Sequence, residues 1–229
     1  MNYNPIIVAL DVETADQARS LVSAIGEGAR FYKVGLELFT AAGPDLVREL
    51  AAGGNGVFVD LKMHDIGETV KRAAAQVARL GARFLTVHSS PQAIRAAKAG
   101  AADSELKILA VTVLTSFDQA DLEAMGYRGW TIPALVDEFV RRGVEAGADG
   151  FICSPLEAAR VRALAGPGAI LVTPGVRSAG ASKGDQKRVA TPAEAIQAGA
   201  DYLVIGREIT RAPEPARAAA AILKDLGLL

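Results

Sequence analysis

Two carboxylates and a lysine lie within six residues at the end of a short apolar run. Asp60, Lys62 and Asp65 follow Val57-Phe58-Val59. Because successive side chains of a strand point to opposite faces, the spacing predicts that Asp60 and Lys62 point the same way. Charges beside a buried strand cost solvation energy unless they pair or act on a ligand. We interpret these residues as a candidate catalytic cluster, with a structural salt-bridge network as the alternative.

A further lysine lies inside another apolar segment. Lys33 is flanked by Phe31-Tyr32 and Val34-Gly35. A buried ammonium group needs a carboxylate partner, so we expect Lys33 to join the acidic residues of the cluster. Lysines interleaved with carboxylates would repel a cation, and the sequence therefore predicts no metal site there.

The composition limits the class of protein. The chain has 229 residues, half of them hydrophobic, and a net charge of -1, so we expect a single domain over residues 1–229. The balanced charge gives no basic surface for nucleic acid. The sequence has neither a signal-peptide pattern at its start nor an apolar run approaching the roughly 20 residues that span a bilayer. We expect a cytoplasmic protein without membrane contact. Its only cysteine, Cys153, excludes an intrachain disulfide.

Short apolar runs alternate with helical stretches along the chain. Continuous rather than alternating apolarity is typical of strands buried on both faces, as in a parallel sheet. The eight runs are 6–10, 31–34, 57–59, 84–87, 108–114, 150–152, 170–172 and 202–205. Helices are predicted, among others, at 16–25, 68–80, 133–146 and 193–198, and Thr14 and Gln17 form a capping box for the first. Eight such units predict a (β/α)₈ barrel, an α/β fold of the TIM type. An open doubly wound sheet is the alternative, although no Gly-x-Gly-x-x-Gly follows the first run.

Polar residues collect where the predicted strands end. This is the end at which barrel enzymes carry their chemistry. Gly206-Arg207 follows the eighth strand and Arg177 follows the seventh, which are the usual positions of a phosphate site in this fold. The segment from Ser178 to Asp185 consists largely of small residues, and we interpret it as a loop that closes over a ligand.

Six motifs occur in order along the chain. They are Ala9-Leu10-Asp11, Lys33-Val34-Gly35, Asp60-x-Lys62-x-x-Asp65-Ile66-x-x-Thr69, Pro174-Gly175-Val176-Arg177, Gly184-Asp185-Gln186 and Ile205-Gly206-Arg207. This ordered set resembles the orotidine 5′-monophosphate decarboxylase family, in its bacterial form, from about residue 6 to residue 215. Metal-dependent sugar-phosphate relatives share the Asp-x-Lys-x-x-Asp element but usually carry glutamate at the position of Lys33. One departure is Gly67-Glu68, where bacterial members often have Pro-Asn.

The resemblance implies a cofactor-free, metal-free lyase of pyrimidine biosynthesis. Its reaction converts orotidine 5′-monophosphate to uridine 5′-monophosphate (UMP), the last step of de novo UMP synthesis. Lys62 would protonate C6, and Asp60 would orient the lysines near the substrate carboxylate. Asp65 and Thr69 would reach into the partner's site in a homodimer with shared active sites. The implied substrate contacts are Asp11 and Lys33 for the ribose, Thr115 for the pyrimidine, and Arg177, Gln186, Gly206 and Arg207 for the phosphate.

Two other functions stay open from the sequence. A metal-dependent sugar-phosphate decarboxylase or aldolase shares part of the motif, but Lys33 and the Gly-Asp-Gln loop argue against it. A barrel that only binds a nucleotide or sugar phosphate would need the phosphate residues but not Lys62. An intact Lys62 therefore favours the enzyme.

Overall fold

The computed structural model describes residues 3–178 and 190–229. Eight parallel strands pair in sequence order and close into a barrel. The strands are β1 (Ile6–Ala9), β2 (Phe31–Gly35), β3 (Gly56–Met63), β4 (Phe84–His88), β5 (Lys107–Val111), β6 (Gly150–Ile152), β7 (Ile170–Thr173) and β8 (Tyr202–Ile205). The predicted (β/α)₈ barrel is confirmed, and the doubly wound alternative is wrong.

Helices follow the strands around the outside of the barrel. They are α1 (Ala15–Ile25), α2 (Leu36–Ala52), α3 (Gly67–Arg79), α4 (Pro91–Gly100), α5 (Gln119–Ala124), α6 (Ile132–Glu145), α7 (Ala158–Ala165), α8 (Pro192–Gln197), α9 (Arg207–Thr210) and α10 (Pro215–Asp225). The four predicted helical segments correspond to α1, α3, α6 and α8, each within one residue at either end. The capping box is also confirmed, since the Gln17 N–H donates to Thr14 Oγ1 at 3.2 Å.

Two strands differ from the predicted runs by more than one residue at one end. β3 continues past Val59 to Met63, because β2 still pairs with it at Asp60 and β4 pairs with it again at Met63. β5 ends at Val111, although the apolar run continues to Leu114. Its neighbour β6 ends opposite Val111, so the following residues have no strand to extend the ladder.

The core has two layers, as the buried strands require. One layer lies between the strands and the surrounding helices, and the other fills the barrel. Inside the barrel, the ring of Phe84 lies 4.9 Å from that of Phe31 and 5.3 Å from that of Tyr202. Phe58 packs edge-on against Phe84. These rings fill the part of the barrel interior nearer the amino ends of the strands.

Across residues 3–178 and 190–229, no helix is both long enough and apolar enough to span a bilayer.

Candidate active site

A cavity of about 290 Å³ opens at the carboxyl ends of the strands. Apolar side chains, including Phe58, Ile152 and Val204, form part of its wall. The predicted site residues that line it are Asp11, Lys33, Asp60, Lys62, Thr115, Arg177, Gly206 and Arg207. The fold therefore brings together residues that lie almost 200 positions apart in the sequence.

Four charged side chains form a continuous chain along this cavity. Lys33 Nζ lies 2.9 Å from Asp11 Oδ1 and 3.7 Å from Asp60 Oδ2. Lys62 Nζ lies 2.9 Å from Asp60 Oδ1. The side chains of Lys33 and Asp60 are only 11% and 13% exposed, whereas that of Lys62 is 30% exposed. Of these two lysines, Lys62 is therefore more accessible to a ligand, and Lys33 bridges the carboxylates of Asp11 and Asp60.

Asp60 is held in its ionised form by its neighbours. Burial alone would raise the pKa of this carboxyl group, because desolvation disfavours the charge. The positive charges of Lys33 and Lys62 oppose burial, together with hydrogen bonds from Lys62 and Thr86. Their combined effect keeps the pKa of Asp60 below its usual value. A fixed negative charge therefore lies beside the Lys62 ammonium group.

The backbone at Lys62 departs from a regular strand. Lys62 has a φ of +47°. Within residues 3–178 and 190–229, all other residues with positive φ are glycines. The pairing register between β3 and β4 also shifts between Val59 and Met63. The predicted juxtaposition of Asp60 and Lys62 is confirmed by their contact. Regular alternation along the strand is not its cause, because a bulge re-aims the side chains there.

Thr86, on the neighbouring strand β4, is a site residue that the sequence analysis missed. Its hydroxyl donates to Asp60 Oδ1 at 2.8 Å and accepts from the Lys62 N–H at 3.0 Å. The side chain is fully buried. The only signal in the sequence is a polar residue inside the apolar run 84–87, and threonine is common in strands for other reasons.

Gly35 has a steric reason for being glycine. A Cβ at this position would lie 2.9 Å from Lys33 Nζ and 3.5 Å from Asp11 Oδ1. The backbone φ of Gly35 is -91°, which other residues adopt without strain. The missing side chain therefore leaves room for the Lys33 ammonium group rather than permitting an unusual backbone.

Asp65 and Thr69 do not line the cavity. Both are exposed at the start of α3, next to Ile66, whose side chain is 73% exposed. Asp65 Oδ1 accepts from the Ile66 N–H at 2.6 Å. Within one chain, neither residue forms a hydrogen bond or an ion pair with Lys62 in the described part of the structure.

The predicted phosphate residues lie on the β7 and β8 side of the cavity. Arg177, Gly206 and Arg207 line it, and Arg177 Nη1 donates to its neighbour's carbonyl oxygen, that of Val176, at 2.7 Å. Gln186 and most of the predicted closing loop lie outside the described residues, so they stay predictions.

The two histidines lie beside the cavity but do not line it. The rings of His64 and His88 are 5.2 Å apart and contribute to a separate cavity. Burial and, secondarily, electrostatic interaction with His64 and Lys62 lower the pKa of His88. In the described residues, no group of three or more His, Cys, Asp or Glu side chains is arranged to hold a metal ion.

Comparison with known proteins decides which barrel enzymes this site resembles. The model of the orotidine 5′-phosphate decarboxylase / HUMPS family matches residues 4–222. The chain belongs to this family. The match extends from β1 into α10, and it therefore includes the four contacting charged residues Asp11, Lys33, Asp60 and Lys62.

Relatives from the decarboxylase side of the family are similar over almost their whole length. Orotidine 5′-phosphate decarboxylase of Rhodopseudomonas palustris strain BisB5 is 51% identical over 96% of this chain and 94% of the relative. The enzyme of that name from Methylobacterium sp. strain 4-46 is also 51% identical, with the same coverage. The crystal structure of orotidine 5′-phosphate decarboxylase from Lactobacillus acidophilus superposes with a TM-score of 0.87 at 38% identity, covering 97% of this chain and 99% of that one.

Proposed function

We infer that this protein is an orotidine 5′-phosphate decarboxylase, a carboxy-lyase that forms UMP in pyrimidine biosynthesis. The observation that carries this function is the chain of contacts from Asp11 through Lys33 and Asp60 to Lys62 in the cavity at the carboxyl end of the barrel. Relatives named for this activity are about half identical over nearly the whole chain. We also propose that residues 1–229 form one catalytic domain, located in the cytoplasm.

The chemistry requires a cation where Lys62 lies. Cleavage of the bond between C6 and the carboxylate releases CO₂ and leaves an electron pair on C6. No adjacent carbonyl group is placed to delocalise that pair, so a positive charge close to C6 must stabilise it. Lys62 supplies the charge and then transfers one proton to C6, and its amine regains a proton from solvent. The side chain of Lys62 is more exposed than that of Lys33, which supports this role.

Asp60 and Lys33 hold that cation in place. The 2.9 Å contact from Asp60 Oδ1 fixes one side of the Lys62 ammonium group. Lys33 pairs with the other oxygen of Asp60 and with Asp11, so we propose that Lys33 and Asp11 also present polar groups to the ribose hydroxyls. A carboxylate kept ionised beside the substrate carboxylate would in addition favour its departure, by the like-charge repulsion between them.

The remaining cavity residues position the substrate. We propose that Thr115 contacts the pyrimidine and that Arg177, Gly206 and Arg207 bind the phosphate, with Gln186 completing that set. Two arginines on one side of the cavity offer the planar two-pronged donors that suit a phosphate group. Binding at the phosphate, remote from C6, can then be used to organise the charged chain.

We propose that the active form is a homodimer in which Asp65 and Thr69 complete the partner's site. Both residues are exposed and do not line the cavity of their own chain, which is consistent with a role in another subunit. The exposed Ile66 between them supplies apolar surface that a dimer would bury.

The test is an ultraviolet assay of purified protein with orotidine 5′-monophosphate, with UMP and CO₂ measured as products. We expect one UMP per CO₂ and no dependence on added metal, because two lysines already supply the positive charge. Assays after exhaustive EDTA treatment and after addition of Mg²⁺ provide the control. Absence of turnover would refute the proposed function. Turnover that disappears with EDTA and returns with Mg²⁺ would favour the metal-dependent sugar-phosphate chemistry instead.

A further inference from the structure

Thr86 connects the two parts of the charged chain that must stay in register. Its hydroxyl has one proton and two lone pairs, and it forms hydrogen bonds with two different residues, one as donor and one as acceptor. The proton goes to Asp60 Oδ1 at 2.8 Å, and a lone pair accepts the backbone N–H of Lys62 at 3.0 Å. One buried oxygen therefore bridges the Asp60 side chain and the Lys62 backbone.

This bridge replaces a missing ladder bond between the strands. Four residue steps along β3, from Val59 to Met63, correspond to two steps along β4, from Leu85 to Val87. Thr86 is the β4 residue opposite this bulge. A backbone N–H in a bulge has lost its regular partner, and a buried one needs another acceptor. The Thr86 side chain supplies that acceptor at the one residue of the bulge with positive φ.

The same oxygen also fixes Asp60. Asp60 Oδ1 accepts from both Thr86 Oγ1 and Lys62 Nζ, while Oδ2 faces Lys33. With the hydroxyl in place, the carboxylate cannot rotate without losing a buried hydrogen bond. The direction in which it presents an oxygen to the Lys62 ammonium group is thereby set.

We propose that Thr86 is a positioning residue for the reaction, acting through Lys62 and Asp60 rather than on the substrate. The inference rests on the proposed function, since it assumes that Lys62 delivers the proton to C6. Thr86 is fully buried and does not line the cavity, so it has no direct contact to lose with a ligand. Its removal should therefore lower kcat and leave substrate binding nearly unchanged, because small displacements of a reacting group strongly reduce the rate.

The test compares Thr86→Val, which keeps the shape and removes the hydroxyl, with Thr86→Ser, which keeps the hydroxyl. Thr112→Val is the matched control: Thr112 is also buried, and its hydroxyl donates at 2.8 Å to the Ile152 carbonyl oxygen. Measurements are kcat and KM with orotidine 5′-monophosphate, the Kd of UMP, and Tm. Rates are expressed per folded site that binds UMP, so that partial misfolding does not imitate lost catalysis.

We expect Thr86→Val to lower kcat by about 10- to 100-fold, the factor corresponding to a hydrogen bond to a charged group. KM and the Kd of UMP should stay close to their wild-type values. Thr86→Ser and Thr112→Val should keep most of kcat. If Thr86→Val does not fold, Thr86→Ala is compared with Thr86→Ser in the same measurements.

Three results would overturn the inference while the wild-type protein turns over substrate normally. They are an undiminished kcat in the hydroxyl-free variant, an equal loss in Thr86→Ser, and an equal loss in Thr112→Val. A wild-type protein that does not decarboxylate orotidine 5′-monophosphate would instead refute the proposed function, so the two failures are distinguishable in one experiment.

Discussion

Replacement of Lys62 by alanine is the most direct perturbation of the proposed mechanism. The substitution removes the cation that we propose faces C6, and it leaves Asp60 with Lys33 and Thr86 as partners. Loss of a general acid costs about 10²- to 10⁴-fold, and loss of preorganised electrostatic stabilisation costs about 10²- to 10³-fold. Because we propose both roles for Lys62, we expect kcat to fall by at least about 10⁴-fold.

The fold should tolerate this change. At 2.9 Å and an effective dielectric constant of about 20, the attraction between Lys62 and Asp60 is about 6 kcal/mol before solvation is counted. Most of it is offset because the variant no longer desolvates an ammonium group, and Lys33 keeps Asp60 paired at 3.7 Å. We expect a net loss of about 2 kcal/mol in unfolding free energy, which lowers Tm by roughly 4–8 °C in a chain of this size.

Lys98 offers a matched control for the lost ion pair. Lys98 Nζ lies 2.7 Å from Asp149 Oδ1, and the two side chains are 36% and 18% exposed, close to the values for Lys62 and Asp60. Neither residue lines the cavity. Lys98→Ala should therefore lower Tm by a similar amount and leave kcat unchanged.

The assay follows the absorbance change of orotidine 5′-monophosphate at saturating concentration, beside thermal unfolding of each variant. The decisive quantity is the rate of the folded Lys62→Ala protein. If that protein keeps more than about a hundredth of the wild-type kcat, Lys62 is not the general acid and the reasoning is refuted. An equal loss of rate in Lys98→Ala would show that broken ion pairs impair catalysis wherever they lie.

Three further predictions test the proposed dimer, the phosphate residues and the space around Lys33. Mixing inactive Lys62→Ala and Asp65→Ala chains should restore part of the activity, because one site of a mixed dimer receives both substitutions and the other neither; no recovery after demonstrated subunit exchange rejects shared sites. Arg207→Ala should lower kcat/KM on orotidine 5′-monophosphate by about 10- to 160-fold, equivalent to about 1.5–3 kcal/mol, but leave the rate on the nucleoside without phosphate unchanged; equal losses on both substrates would contradict the phosphate role. Gly35→Ala places a methyl group 2.9 Å from Lys33 Nζ, so kcat/KM should fall about 10- to 100-fold with little change in Tm; an unchanged kcat/KM would show that Lys33 has room to move.

The barrel was predictable because its signals are local and repeated. Apolar runs such as Ile6–Ala9 and Tyr202–Ile205 have to be buried on both faces, and helical segments separate them at regular intervals. Eight such units in 229 residues leave few other ways to bury the strands. Cap signals, such as the pair Thr14 and Gln17, set helix boundaries within one residue because they act over a single turn.

The sequence also identified the charged residues that line the cavity in the described part of the chain, since charged residues at strand ends are conspicuous among apolar neighbours. Lys33, Asp60, Lys62 and Asp65 were predicted as one cluster. Contacts confirm the first three, whereas Asp65 does not line the cavity. The structural cause of the contact between Asp60 and Lys62 was only partly visible in the sequence. A register shift between β3 and β4 depends on how the two strands pair in three dimensions. No pattern within β3 alone could therefore reveal the positive φ of Lys62.

Tertiary structure alone decided what holds the cluster in place. Thr86 contacts Asp60 and Lys62 from a different strand, 26 and 24 residues along the chain, inside a run that reads as ordinary apolar strand sequence. Residue types and short spacings therefore determined the fold and the reacting groups, because burial and charge act locally. The geometry of those groups depends on contacts between distant segments, which exist only after the barrel closes.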